Sequence, residues 1–545
     1  MKRLHLLSAA TVSFAVVAIV ACGNDAPTNT TPGGGSGNTA GAGVAAGAGG
    51  SAAGSAATAG SGTTAGSGGT GTTAGAGGTG TAGGTGGGGG GGGSGGGVAC
   101  KQVTQLNGSG IAVAAMDISA FKYVAPPANH LTKIAYDPVG KLVVAINGDD
   151  GKMYSFDPNA ALPATAMTSP VTTSKPYNVG YTVPQGYGTG IYEPYRGLAF
   201  GPDGTLYVMA AKAGGVAISK GAPAATPDGT RTWTTLVTTS MPFTPSGTNY
   251  DHSFSGIAVS ADGMSLYFSS GSRTEHGEQE GGDREVPLSS AIFKVPTNTP
   301  TDLKNDETAL KPFLFADGTR NTFDLAFNAA GDLFGTENGP DLDLSDEVNF
   351  LEQGKHYGFP WRFSNVDNPT RDQSFDYTKD KRARSNVYAD IPNRYKADAG
   401  FPAPPAGVTF TDPVVNMGPD GNYVVPDANS APMKAGATGV PGVSAHRSPL
   451  GLSFDTAGAL CGQYYKAGFM LSYGPIPGGS IGDAGEDLLL VTPTKGADGK
   501  YTMTTKTLVA QGIKHAMDSV LVGNRLFTIG QDDAAQVYVF VLPTP

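Results

Sequence analysis

The chain has 545 residues, 84 of them glycine, a formal net charge of −10 at pH 7 and only 15% charged side chains. An acidic chain without basic clusters excludes nucleic acid and anionic lipid surfaces as electrostatic partners. The sequence contains no Gly-rich strand–helix phosphate motif, no P-loop and no CxxC, which leaves nicotinamide nucleotides, ATP and c-type haem without support.

In chain order, Lys2 and Arg3 precede an apolar run, Leu6 to Val20, that is too short to span a bilayer as a mature helix. The run ends in Ile19-Val20-Ala21-Cys22, which resembles a lipoprotein signal cleaved before its cysteine. Residues 1–21 are therefore expected to be a signal peptide and Cys22 a lipidated N-terminus, so that the chain is exported and held by lipid alone. Gly23 after the cysteine favours the outer membrane; an ordinary secretory signal is the alternative. Residues 22–98 are nearly all Gly, Ala, Ser and Thr. They carry too little apolar side chain to offset the entropy of ordering, and a disordered linker is expected. After processing, Cys100 and Cys461 remain. In an exported chain they suggest one disulfide, with two separate thiols as the alternative.

Residues 99–545 contain a repeat. It reads "HLTKIAYDPVGKLVVAI" from His130, "YRGLAFGPDGTLYVMA" from Tyr195, "FSGIAVSADGMSLYFSS" from Phe254, "TFDLAFNAAGDLFGTE" from Thr322, "PLGLSFDTAGALCGQY" from Pro449 and "AMDSVLVGNRLFTIG" from Ala516. Each unit is a short strand, a turn with Gly or Asn, and a second strand of alternating apolar residues, which suits a hairpin and not a helix. Six such hairpins predict an all-β fold, a six-bladed β-propeller with about four strands per blade; a pair of β-sandwiches is the runner-up. Residues 362–445 lack the repeat and read as an irregular excursion from one blade.

Aligning the units gives equivalent positions Lys133, Gly197, Gly256, Asp324, Gly451 and Asp518 on the first strand. Four residues earlier stand Asn129, Glu193, His252, Arg320, Arg447 and Lys514. All six are polar, and in a propeller these positions converge on one mouth of the axial channel, the default ligand site.

Two segments give the mouth a chemistry. "GTRNTFDLAFNAAGDLFGTENGPDLDLSDEVNFLEQGKHYGFPW" from Gly318, with "DHSFSGIAVSADGMSLYFSSG" from Asp251, resembles the soluble quinone-dependent aldose dehydrogenases, the glucose/sorbosone dehydrogenase family. The resemblance covers most of residues 130–365 and, more weakly, the last two repeats. It implies sugar oxidation by hydride transfer to pyrroloquinoline quinone (PQQ), with calcium as second cofactor. His252 then matches the general base and Arg320 the cation that stabilises the reduced quinone oxygen. Asn321 matches a cofactor contact, Glu193 a sugar contact, and Arg447 and Lys514 are cofactor candidates by register, with His446 and His515 beside them. The carbonyls of Gly339 and Pro340 match the cofactor-bridging calcium, and Asp346 with Glu347 match an acidic pair on a second one, which Asp341 and Asp343 could share. The chain departs from the family at Thr322 and at Asp324, whose carboxylate could repel an anionic cofactor, and in the stretch holding Glu275, His276 and Glu278, read as a polar loop with a metal site as the alternative. The substrate is expected to be a small sugar; the electron acceptor is not indicated. A calcium-dependent lactonase and a non-catalytic sugar- or protein-binding propeller are the alternative functions.

Overall fold

The computed structural model describes residues 99–124, 130–212, 214–241, 252–279, 284–340, 344–372, 398–419, 423–424, 433–434, 439–474, 485–531 and 536–545. The expected signal peptide, Cys22 and the low-complexity stretch up to residue 98 lie outside the described residues, as do Asn129, Asp341 and Asp343.

The repeats form hairpins whose first strands are Leu131–Asp137, Gly197–Phe200, Phe254–Val259, Thr322–Phe327, Pro449–Phe454 and Ala516–Val522. Each of these strands ends its sheet, and each touches the corresponding strand of the next repeat, with Ala516–Val522 returning to Leu131–Asp137. They therefore ring one axis, and the sheets radiate from it as a β-propeller. Neighbouring sheets share apolar clusters: Tyr207 and Met209 pack with Phe254, Phe268 and Phe293 between the second and third sheets. Phe334 packs with Phe454 and Met470 between the fourth and fifth. Full burial of each such side chain contributes about 1.5–3 kcal/mol.

The expectation of six four-stranded blades is corrected to five. Among the described residues five sheets have four or more strands, whereas the fourth repeat stops at three: Thr322–Phe327, Leu333–Glu337 and Glu347–Leu351. The chain leaves this sheet after Leu351, and Lys355–His356 pairs in parallel with Leu314–Asp317 of the third sheet instead. The excursion is likewise not wholly irregular. Val415–Pro419 and Val440–Pro441 add to the outside of the fifth sheet, beyond Tyr501–Gln511.

The N-terminal part closes the ring. Ser119–Val124 pairs antiparallel with Gln536–Val541, and so supplies the sixth sheet with a strand from the opposite end of the domain. Cys100 and Cys461 form a disulfide across 361 positions of sequence, with a Cα–Cα distance of 5.8 Å. Among the described residues no helix is long and apolar enough to cross a membrane.

Candidate functional site

In five of the six repeats the inner strand carries a β-bulge at or directly before the aligned position. Register shifts fall between Leu131 and Lys133, Ser255 and Ile257, Thr322 and Asp324, Pro449 and Leu452, and Ala516 and Asp518. A bulge bends its strand and re-aims the residues before it. Gly451 is needed for the close approach: a Cβ there would lie 2.6 Å from the Asp518 Cα. At this level Lys133 Nζ pairs with Asp324 Oδ1 at 2.9 Å and donates to the Phe323 carbonyl at 3.3 Å. The other Asp324 oxygen accepts Leu452 N–H at 2.8 Å, and Asp518 accepts Ile134 N–H at 2.9 Å. Burial pushes the Asp518 carboxyl up to about 8, against the pull of Lys133 and with the push of Asp324. The expected repulsion between Asp324 and a cofactor is thus corrected: its charge is matched by Lys133, from 191 positions away.

The mouth lies four residues upstream. Glu193, His252, Arg320, Asn321 and Arg447 are buried, and Lys514 is the exposed exception. His130, Glu193, His446, Ser448 and His515 have left-handed backbone, with φ of 56°, 47°, 62°, 50° and 46°. Such conformations cost non-glycine residues of order 1–3 kcal/mol and concentrate at functional sites. Here they occur where the chain turns into the first, second, fifth and sixth inner strands.

Ser272 joins the two central residues. Its N–H donates to the Arg320 carbonyl at 2.6 Å, and its carbonyl accepts His252 N–H at 3.0 Å. Its single hydroxyl proton goes to the Thr274 carbonyl at 2.7 Å, so the contact of 2.8 Å between Ser272 Oγ and His252 Nδ1 is donated by the imidazole. The ring proton therefore sits on Nδ1, and Nε2 carries the lone pair. Burial, with the Arg320 and Arg196 guanidiniums next, holds this imidazole well below its ordinary pKa. Gly271 makes room for it: a Cβ there would lie 2.4 Å from that of His252.

Arg320 is fully enclosed. Its guanidinium is ion-paired with Glu275, and donates to the Glu275 carbonyl at 3.0 Å and the Asn338 carbonyl at 2.8 Å. The polar loop around Glu275 is thereby part of the site. Its backbone is held by Glu278, which accepts Glu275 N–H and His276 N–H, and by the half-buried Glu285, which accepts Arg273 N–H, Thr274 N–H and three hydroxyls. Arg447 pairs with Asp487 at 2.5 Å, and Lys514 with Glu486 at 2.5 Å. Glu193 accepts from Gln531 Nε2 at 2.5 Å, and burial raises its pKa. Tyr473 stacks on His515 with ring centroids 4.9 Å apart, which ties the fifth and sixth repeats at this face.

Asp346 and Glu347 do not act as a pair. Asp346 accepts Gly339 N–H at 2.6 Å and Ser448 N–H at 2.8 Å, facing the fifth repeat. Glu347, the next residue of an extended chain, points to the other side. It accepts from Asn349 Nδ2 at 2.9 Å and Ser364 N–H at 2.6 Å. Burial pushes it up to about 7, and lifts its cross-strand neighbour Glu337 well above the ordinary range. Asn349 Oδ1 and Ser364 Oγ, both buried, have no hydrogen-bond partner among the described residues. This set of oxygens fits a hard cation beside Glu347, although no three acidic, His or Cys side chains among the described residues converge as a metal cluster.

For an anionic quinone the donors are present: Arg320, Arg447 and Lys514, with the buried Arg196 Nε lacking a partner among the described residues. Each of the first three has an acid opposite it. Those acids, Glu275, Asp487 and Glu486, were not singled out as cation partners from the sequence. The signal for two of them was the Glu486-Asp487 doublet directly before an apolar strand.

Residues 198–389 match a family model described as Glucose / Sorbosone dehydrogenase. No curated protein matches the chain. Among solved structures it is similar to the soluble aldose sugar dehydrogenase of Escherichia coli in its apo-form, at 14% identity over 78% of this chain and 99% of that one, with a TM-score of 0.47. It is also similar to the PQQ-bound aldose sugar dehydrogenase of Streptomyces coelicolor, at 15% identity over 78% and 97%, TM-score 0.45. A third is the PQQ domain of pyranose dehydrogenase from Coprinopsis cinerea, at 14% identity over 80% and 100%, TM-score 0.48. No residue role is taken from these structures.

Proposed function

We propose that this chain oxidises an aldose or related sugar at its anomeric carbon by hydride transfer to PQQ, acting on the cell envelope, where lipidated Cys22 anchors it. The observation that carries this reading is a buried, neutral His252 with its lone pair on Nε2, joined through Ser272 to Arg320. The family-model match spans both residues and supports it.

When bound, the quinone supplies the hydride acceptor. His252 Nε2 takes the hydroxyl proton of the sugar, a role a neutral imidazole fills at neutral pH. Arg320 provides fixed positive charge in a site closed to water, where its electrostatic effect is strongest. Asn321, Arg447 and Lys514 would hold the anionic groups of the cofactor, which would take the place of Asp487 opposite Arg447 and of Glu486 opposite Lys514. Glu193, backed by Gln531, positions a sugar hydroxyl. Calcium would be held by Glu347 with the Asn349 and Ser364 oxygens, and by the Gly339 and Pro340 carbonyls.

The test is dye reduction by the full chain with a panel of aldoses, with and without added PQQ and Ca²⁺. Quinone-dependent turnover that is lost in His252→Ala is expected. Absence of both turnover and quinone binding would leave a sugar-binding propeller or a lactonase, a reading favoured by the acid already opposite each cation; lactone hydrolysis separates those two.

A further inference from the structure

A cavity of about 320 Å³ lies outside the mouth, between the third sheet and the excursion. One wall is Asp317 and His356, register partners on the parallel strands Leu314–Asp317 and Lys355–His356. Another is Trp361 with Phe359, and Pro405 and Val408 of the excursion form its rim. The excursion is fastened over it by Thr411 N–H to the His356 carbonyl at 2.8 Å, and by Trp361 Nε1 to the Pro402 carbonyl at 3.1 Å. Trp361 stacks on Phe410 at an interplanar angle of 16°, which fixes the indole.

The polar groups here form a donor–acceptor pair. His356 Nδ1 accepts Gly358 N–H at 3.0 Å, so the ring proton lies on Nε2, a donor. Asp317 Oδ1 accepts Gly318 N–H at 2.8 Å, and the carboxylate is an acceptor. Glu285 and Glu307 also line the cavity, so anions are disfavoured. A fixed aromatic face beside one donor and one acceptor, in an acidic pocket of this size, suits a ring with apolar C–H faces and hydroxyl edges. We infer that this cavity binds a neutral monosaccharide, stacked on Trp361 with hydroxyls on Asp317 and His356, independently of the mouth and of the redox reading.

The experiment uses methyl glucoside, whose blocked anomeric position removes it as a substrate of the proposed oxidation, and follows tryptophan fluorescence of the full chain. The chain has only two tryptophans, Trp233 and Trp361. A saturable response in the millimolar range is expected, lost in Trp361→Phe and retained in Trp233→Phe and His252→Ala. Asp317→Asn keeps the oxygen that accepts Gly318 N–H, and is expected to weaken binding about tenfold, the effect of one lost buried hydrogen bond. Val408→Phe, a change at an exposed rim residue, fills the pocket without touching the core and is expected to abolish the response. No saturable response, a response indifferent to Val408→Phe, or tighter binding of gluconate than of methyl glucoside would each overturn the assignment, whatever the outcome for the quinone.

Discussion

The axial ring and the mouth lie four residues apart in the same repeat, and both bury charge, but they use it differently. In the ring, Lys133 pairs with Asp324, and Asp324 and Asp518 accept backbone N–H groups of neighbouring repeats, so these buried groups serve closure of the propeller. At the mouth, cations are also matched by acids, yet the His252 imidazole is held with its proton on Nδ1 and its lone pair on Nε2, and the flanking residues His130, Glu193, His446, Ser448 and His515 have left-handed backbone. Buried charge alone therefore does not mark a site; a group oriented for a reaction, flanked in neighbouring repeats by backbone that costs energy to hold, does.

The sharpest way to break this contrast is Lys133→Met. It leaves two buried acids facing each other and is expected to destabilise the fold by about 3–5 kcal/mol, read from denaturant midpoints. His252→Ala is expected to do the reverse, lowering dye reduction about 10²–10⁴-fold with a much smaller shift in midpoint. Equal stability losses in the two variants would erase the distinction.

The two regions also differ in pH response. Asp518 has a folded pKa raised to about 8, so the native state holds its proton more tightly than the unfolded chain. Stability from this group is complete below an unfolded value near ~4 and is lost as pH rises towards 8. Asp518→Asn is expected to flatten the unfolding free energy across that window. His252 has a lowered pKa, so the base stays neutral as pH falls through the ordinary imidazole range. The pH profile of kcat/KM is accordingly expected to show no acid limb near pH ~6.5; a limb there would mean an imidazole open to water and free of the neighbouring guanidiniums. The smallest effect is expected for Lys514→Ala. The pair with Glu486 is half exposed, and its loss should change stability by about 0–1 kcal/mol, while the Kd for PQQ rises.

Much of the fold was legible because hairpin turns and strand alternation are local. The six-fold recurrence placed every inner strand, and the equivalent polar positions pointed to one face. Blade completeness was not legible: whether the fourth sheet gains another strand depends on where the chain goes after Leu351, and Lys355–His356 found an edge on the third sheet. The Asp346-Glu347 doublet looked like one ligand pair, but strand alternation sends the two carboxylates to opposite sides.

What the sequence by itself determined is the repeating hairpin, the polar face and the identity of His252 and Arg320 within it. Tertiary structure alone decided which charges meet: Arg320 with Glu275, Arg447 with Asp487, and Lys133 with Asp324 across 191 positions. The physical reason is that turn and strand preferences act over a few residues, whereas the partner of a buried charge is set by closure of the ring, which brings together segments no local pattern connects.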